Sequence, residues 1–105
     1  MIYNVLFSKQ ANDDLMSIYE YISLELCAPN IAEKQIMHII SSVDLLESAP
    51  RMHRVYEDLL FNNKELRIYP VDNYVVFYEI DDKNKIVNIV RIMYKRRNIK
   101  EQFNK

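Results

Sequence analysis

Residues 91 to 98 read RIMYKRRN, four cations around one tyrosine in a chain whose formal charge is only −1. Arginines in or just after apolar strands are costly to desolvate, so they reach the rim or meet a phosphate or carboxylate there. Arg67 and His53 belong to the same chemical group as Arg91, Tyr94, Arg96 and Arg97. Cleavage of a phosphodiester by a neighbouring 2′-hydroxyl needs a base, an acid for the leaving oxygen, and cations for the charge that builds on phosphorus. His53 or Tyr94 has the type to move protons, and the arginines have the type to hold charge. The opposing reading has Arg67 and Arg91 in salt bridges at the sheet rim and Tyr94 in the core. Sequence separation alone leaves both open.

Other chemistries are poorly supported. His38 and His53 are the only histidines, and no helical HExxH or paired-cysteine spacing accompanies them, so neither metal nor cofactor is expected. With no glycine in the chain, the Gly-rich phosphate loops and the nucleophile elbow of a serine hydrolase are excluded. Cys27 is the single cysteine and reads as buried apolar filler. Tyr74 and Tyr78 alternate on one strand, where they either stack bases or, more in keeping with a central strand, fill the core.

Charge divides along the chain. Residues 1 to 50 carry 2 Lys and Arg against 7 Asp and Glu, while residues 51 to 105 carry 12 against 8, so an acidic half precedes a basic one. The basic end can attract a polyanion or an acidic partner despite the near-neutral total. One hundred and five residues are enough for one core, so residues 1–105 are expected to form a single domain. No apolar run reaches bilayer length, and the opening MIYNVLFSKQ lacks signal-peptide features. A cytoplasmic protein is expected.

These residues need a scaffold, and hydrophobic periodicity supplies it. Residues 2 to 7, IYNVLF, read as a strand. Ser8 caps a helix whose apolar positions Ala11, Leu15, Ile18, Tyr19, Ile22 and Leu26 step by three and four until Pro29 approaches. A second helix runs from Pro29 through Ala32, Ile36, Ile39, Val43 and Leu46 to the break at Pro50. Asp13 and Asp14 read as acids favouring the first helix start. Beyond Pro50 the period falls to two, with a weak strand at 54 to 60 and strong ones at 65 to 71, 74 to 80 and 85 to 94. Without glycine, left-handed turn positions fall to Asn62, Asn63, Asn73, Asn84, Asp72, Asp81 and Asp82.

The expected fold is therefore α+β: an N-terminal strand, an antiparallel helical hairpin, then three to four antiparallel strands in one sheet. Both alternating sets of YVVFYEI and IVNIVRI are apolar, so both sheet faces want cover, and one hairpin covers one face. The second face is expected to lie bare for a partner chain or a second copy.

The order and spacing of several pieces resemble the RelE/ParE superfamily of toxins from bacterial type II toxin–antitoxin modules, also called plasmid stabilisation toxins. They are S-x-x-A-x-x-D-L-x-x-I-x-x-Y-I from Ser8 to Ile22, Pro29 with Ala32, Leu46 with Pro50, R-x-x-P-V-x-N-Y-x-x-F-Y-x-I-D from Arg67 to Asp81, and RIMYKRRN from Arg91. The likeness covers nearly the whole chain. It implies a growth-arresting toxin neutralised by a cognate acidic antitoxin, as a homodimer or an antitoxin heterotetramer, with no membrane partner. RelE-like members cut messenger RNA on the translating ribosome without a metal, as mRNA interferases; ParE-like members inhibit DNA gyrase. RIYPVDNYVVFY looks closer to ParE, because Val75 stands where RelE-like chains often have arginine and Leu66 and Ile68 where they have lysine-rich sequence. Phe103 falls where a RelE-like ribonuclease has tyrosine. The resemblance thus implies gyrase inhibition first, with an endoribonuclease using Arg67, Arg91, Tyr94, Arg97 and His53 as the alternative, and an inactive binding module as a third. It also makes Arg91, Lys95, Arg96, Arg97, Tyr74 and Tyr78 the expected contacts for target or antitoxin.

Overall fold

The structure, a computed structural model, describes residues 2–61 and 64–95, with residues 57–61 and 64 described by backbone alone. Strand β1 (Asn4–Phe7) leads into helix α1 (Lys9–Glu20). Ser8 caps that helix, its Oγ accepting from the Ala11 N–H at 3.0 Å. The α-helix ends six residues earlier than the periodicity predicts, because Tyr21–Glu25 form one π turn in which the Leu26 N–H reaches the Tyr21 carbonyl. Cys27, exposed and not buried filler, then turns the chain with φ 53°, a left-handed position that glycine normally fills. Helix α2 (Pro29–Asp44) starts on its proline as expected, and Leu45–Glu47 tighten into a 3₁₀ turn.

Four strands complete the chain's described elements: β2 (Val55–Phe61), β3 (Lys64–Val71), β4 (Tyr74–Asp81) and β5 (Ile86–Tyr94). The weak strand at 54 to 60 is thus real. The sheet order is β1-β5-β4-β3-β2, with β1 parallel to β5 and the remaining pairs antiparallel. The hairpin supplies the crossover that a parallel β1–β5 pair requires. Of the acidic and amide turn residues expected to turn left-handed, Asp72 alone does so among those described, at φ 56°. Lys85 takes the corresponding position after β4, while Asn84 instead bonds back to Asp81 through its backbone N–H and its amide. Asn62 and Asn63 lie outside the described residues.

One core lies between hairpin and sheet: Ala11, Ile18, Ile22, Ala32, Ile39 and Val43 meet Val76, Tyr78, Val87 and Ile89. Burying each large aliphatic side chain here contributes about 1.5–3 kcal/mol. The opposite sheet face corrects an expectation. Leu66, Ile68, Val75, Phe77, Val90 and Met93 are buried within the single chain, with the Tyr56 ring edge-on to Phe77 at 5.5 Å. An apolar set on both faces produced two cores, not a bare side.

Candidate functional site

Arg91 is placed by a bulge. Phe77 pairs with Arg91 and Tyr78 with Ile89, so Val90 is an extra residue that breaks the alternation of β5 and re-aims the side chains beyond it. The partner strand β1 ends opposite Ile89, and past that point the outer edge of β5 is closed by helix α1. Ser8 Oγ donates to the Val90 carbonyl at 2.8 Å, and Asp14 accepts from the Ile92 N–H at 2.9 Å. The same carboxylate takes the Arg91 fork, Nε at 2.8 Å and Nη2 at 3.1 Å. Both side chains are largely buried, 14% and 16% exposed. Asp14 is therefore neither in the first turn nor a dipole partner, as its sequence position suggested; it staples α1 to β5.

Arg67 and His53 do come together, on the other side of β4 from Arg91. Arg67 Nη1 donates to the His53 carbonyl at 2.8 Å. The His53 ring stacks on Tyr69 with centroids 3.7 Å apart and planes at 22°. Its Nε2 is shielded from solvent and has no hydrogen-bond partner among the described residues, and burial pushes the ring's pKa down. Tyr78 is fully buried, its hydroxyl donating to the Pro50 carbonyl at 2.6 Å; burial pushes its phenol up, against the pull of Arg67. An open groove of about 460 Å³ passes Arg51, Glu65, Arg67, Glu79 and Lys83, a lining of mixed sign. Arg51 pairs with Asp82, which also accepts from the Tyr3 hydroxyl at 2.7 Å.

Tyr94 lies at a third place. Its ring meets Tyr74 edge-on at 5.8 Å, and both pack against the hairpin core. Burial raises the Tyr74 pKa first, then the neighbouring phenols of Tyr94 and Tyr21. Lys95 is exposed just beyond, its Nζ reaching the Asp72 carbonyl at 3.4 Å. The Asp72 side chain accepts from His38 Nδ1 at 2.7 Å and Gln35 Nε2 at 2.9 Å, tying α2 to the β3–β4 turn; the His38 hydrogen bond, then that of Gln35, pulls its carboxyl below the usual range.

The expected set is thus split. Arg67 with His53, Arg91, and Tyr94 stand in three settings, each engaged in holding the fold, and Arg96 and Arg97 lie outside the described residues. Tyr74 and Tyr78 are core side chains. Among the described residues no three His, Cys, Asp or Glu converge as a metal site, and no helix is long and apolar enough to cross a membrane.

The described surface has another feature, one that the sequence pattern did not bring out. The outer side of the hairpin exposes Met16, Tyr19, Leu24, Ile31 and Met37, with Leu24 and Ile31 at 70% and 61%. The acids Asp13, Glu20, Glu25, Glu33 and Asp44 are exposed on the same hairpin. With the inner stripe already filled, these side chains form an apolar surface bordered by carboxylates.

Residues 5–99 match the family model described as the ParE toxin of type II toxin–antitoxin system, parDE. The chain belongs to this ParE toxin family.

Solved structures agree on the fold. The chromosomal ParDE toxin–antitoxin system from P. aeruginosa aligns with a TM-score of 0.70 and 19% identity, covering 89% of this chain and 96% of that one. The archaeal RelE–RelB complex from Pyrococcus horikoshii aligns at 0.62 and 20%, covering 93% and 100%. The RelBE toxin–antitoxin complex from Mycobacterium tuberculosis aligns at 0.59 and 20%, covering 90% and 99%. No curated protein sequence matches the chain. In this ParE-family chain the residue that sequence reasoning misplaced is Asp14. The signal that could have found it was its spacing from Ser8, six residues that carry the helix from the end of β1 along the edge of β5.

Proposed function

We propose that this ParE-family chain is the growth-arresting toxin of a type II toxin–antitoxin module, held silent by a cognate antitoxin and acting by protein–protein inhibition of DNA gyrase. The observation that carries the choice of mechanism is the commitment of Arg91 to Asp14. A ribonuclease of the RelE kind needs that guanidinium on phosphate, and here two donors of its fork meet a largely buried carboxylate. The shielding of His53 Nε2 supports the same choice, since a proton relay needs a ring nitrogen open to the phosphate.

The hairpin surface supports a protein target. Exposed apolar side chains among carboxylates suit a protein partner, while the negative charge of that surface repels nucleic-acid phosphates. The antitoxin docks at the opposite charge. Lys95 is exposed at the end of β5, whereas Arg67 and Arg91 are occupied, so Lys95 supports docking of an acidic partner there, with the sequence adding the charges of Arg96 and Arg97. The toxin works in the cytoplasm, where gyrase acts.

Induced expression tests the reading through two readouts from one culture. Growth should stop with plasmid DNA losing negative supercoils while primer extension on messages shows no new cuts. Codon-positioned cuts with unchanged plasmid topology would establish the ribonuclease in its place, and continued growth would leave the chain a binding module.

A further inference from the structure

The segment between α2 and β2 is fastened at several points. Tyr78 holds the Pro50 carbonyl, Arg67 holds the His53 carbonyl, Arg51 grips Asp82, and the Ile68 N–H donates to the Arg54 carbonyl at 3.0 Å. The His53–Tyr69 stack differs in kind, because the stacked ring carries a titratable nitrogen that is shielded and lacks a partner among the described residues. Strand β2 starts immediately afterwards at Val55 and is an outer strand of the sheet. Its ladder is irregular: Tyr56 pairs with Leu66, but the next pair is Leu60 with Glu65, so three residues of β2 face none of β3. A strand so loosely laddered depends on the segment that delivers it.

We infer that His53 makes residues 50–54 an acid-released anchor for β2: with the ring neutral the segment is stacked and closed, and with the ring protonated it opens and frees the edge strand. Burial sets the direction, and several groups surround the ring. From β3 come Tyr69, in stacking contact, and Arg67, bonded to the His53 carbonyl; from β4 comes the neutral phenol of Tyr78; Arg51 and Arg54 flank His53 in the segment itself. Arg51 already has its carboxylate in Asp82. A proton on Nε2 therefore adds a shielded charge with no hydrogen-bond partner among the described residues, Glu65 and Glu79 lining the groove beside Arg67 and Arg51, and opening relieves that state by returning the ring to water.

Linkage fixes the pH window. The closed state holds the ring's pKa below its ordinary value of 6.5, and the open state restores it. Opening is thus insensitive to pH well above 6.5 and grows as pH falls below it, by up to about tenfold between pH 7.5 and 5.5. The inference is independent of which target the toxin acts on.

Hydrogen exchange on the whole chain at those two pH values tests it, reading the opening of peptides over residues 50–61 relative to peptides over residues 86–94 in the same sample so that intrinsic exchange chemistry cancels. The wild type should show a relative rise at the lower pH, bounded at about tenfold. His53→Phe, which keeps an aromatic stack and takes no proton, should show none. A constant ratio in the wild type, or the same rise in His53→Phe, overturns the inference. Should His53→Phe not fold, the wild-type ring titration by NMR decides: a midpoint below 6.5, with protection lost between 6.5 and that midpoint, supports it, and a midpoint at or above 6.5 overturns it.

Discussion

Asp14→Ala removes the acceptor of three hydrogen bonds at once, from Arg91 Nε, Arg91 Nη2 and the Ile92 N–H. The pair is too enclosed to behave as a surface salt bridge, which is worth about 0–1 kcal/mol. Removing one partner of a buried pair strands the other charge and costs about 3–5 kcal/mol. Against a total stability of about 5–15 kcal/mol for a chain this size, the variant should be only marginally folded. At roughly 4 °C per kcal/mol, its Tm should fall by about 12–20 °C. The decisive design is a double-mutant cycle with Arg91→Met, measured by urea unfolding monitored by far-ultraviolet circular dichroism. Removing both charges leaves no stranded guanidinium, so the double variant should be more stable than Asp14→Ala alone, with a coupling of about 2 kcal/mol or more. A loss below about 1 kcal/mol for Asp14→Ala, or losses that simply add, refutes the view that Arg91 is locked into the fold.

Other contacts give three further expected outcomes. Tyr78→Phe leaves the buried Pro50 carbonyl without its donor and should cost about 1–3 kcal/mol in the same unfolding assay, whereas an unchanged midpoint would mean that hydroxyl is dispensable. Cys27→Gly should gain about 1 kcal/mol and raise Tm by about 4 °C, because the left-handed φ of 53° strains any side chain but a hydrogen; a fall in Tm would contradict this. The Asp82 carboxyl should titrate near 2 in an NMR pH series of the wild type, since hydrogen bonds from Arg51 and then Tyr3 pull it down from 3.8. Its folded pKa is the depressed one, so any support from this pair is complete above about 3.8 and fades as pH falls toward 2; in Arg51→Gln the midpoint should move back up.

The scaffold was legible because periodicity and punctuation agree. Pro29 and Ser8 mark helix starts, the step-of-three-and-four stripe marks the buried side of the hairpin except at Tyr19 and Leu26, which are exposed, and the switch to alternation after Pro50 marks the sheet. The features that escaped had non-local causes. The π turn over Tyr21–Glu25 has no sequence signal distinct from a helix, so Leu26 reads as continuing α1. Cys27 and Lys85 turn left-handed because the connections demand it, against their own preference. The site was harder still. An arginine facing phosphate and one facing a carboxylate look alike in sequence, and only the Val90 bulge, which depends on β4–β5 register, decides that Arg91 meets Asp14. The exposed apolar residues of the hairpin were legible one by one, but as a surface they require knowing which stripe the core has already taken.

Whether the chain acts on a protein while Arg67 and Arg91 serve the fold is tested most directly by titrating the purified chain into a gyrase supercoiling reaction, with a translation reaction alongside as control. Loss of supercoiling at near-stoichiometric toxin with intact messages is the predicted result. Undiminished supercoiling at high excess, together with cleaved messages, would contradict it.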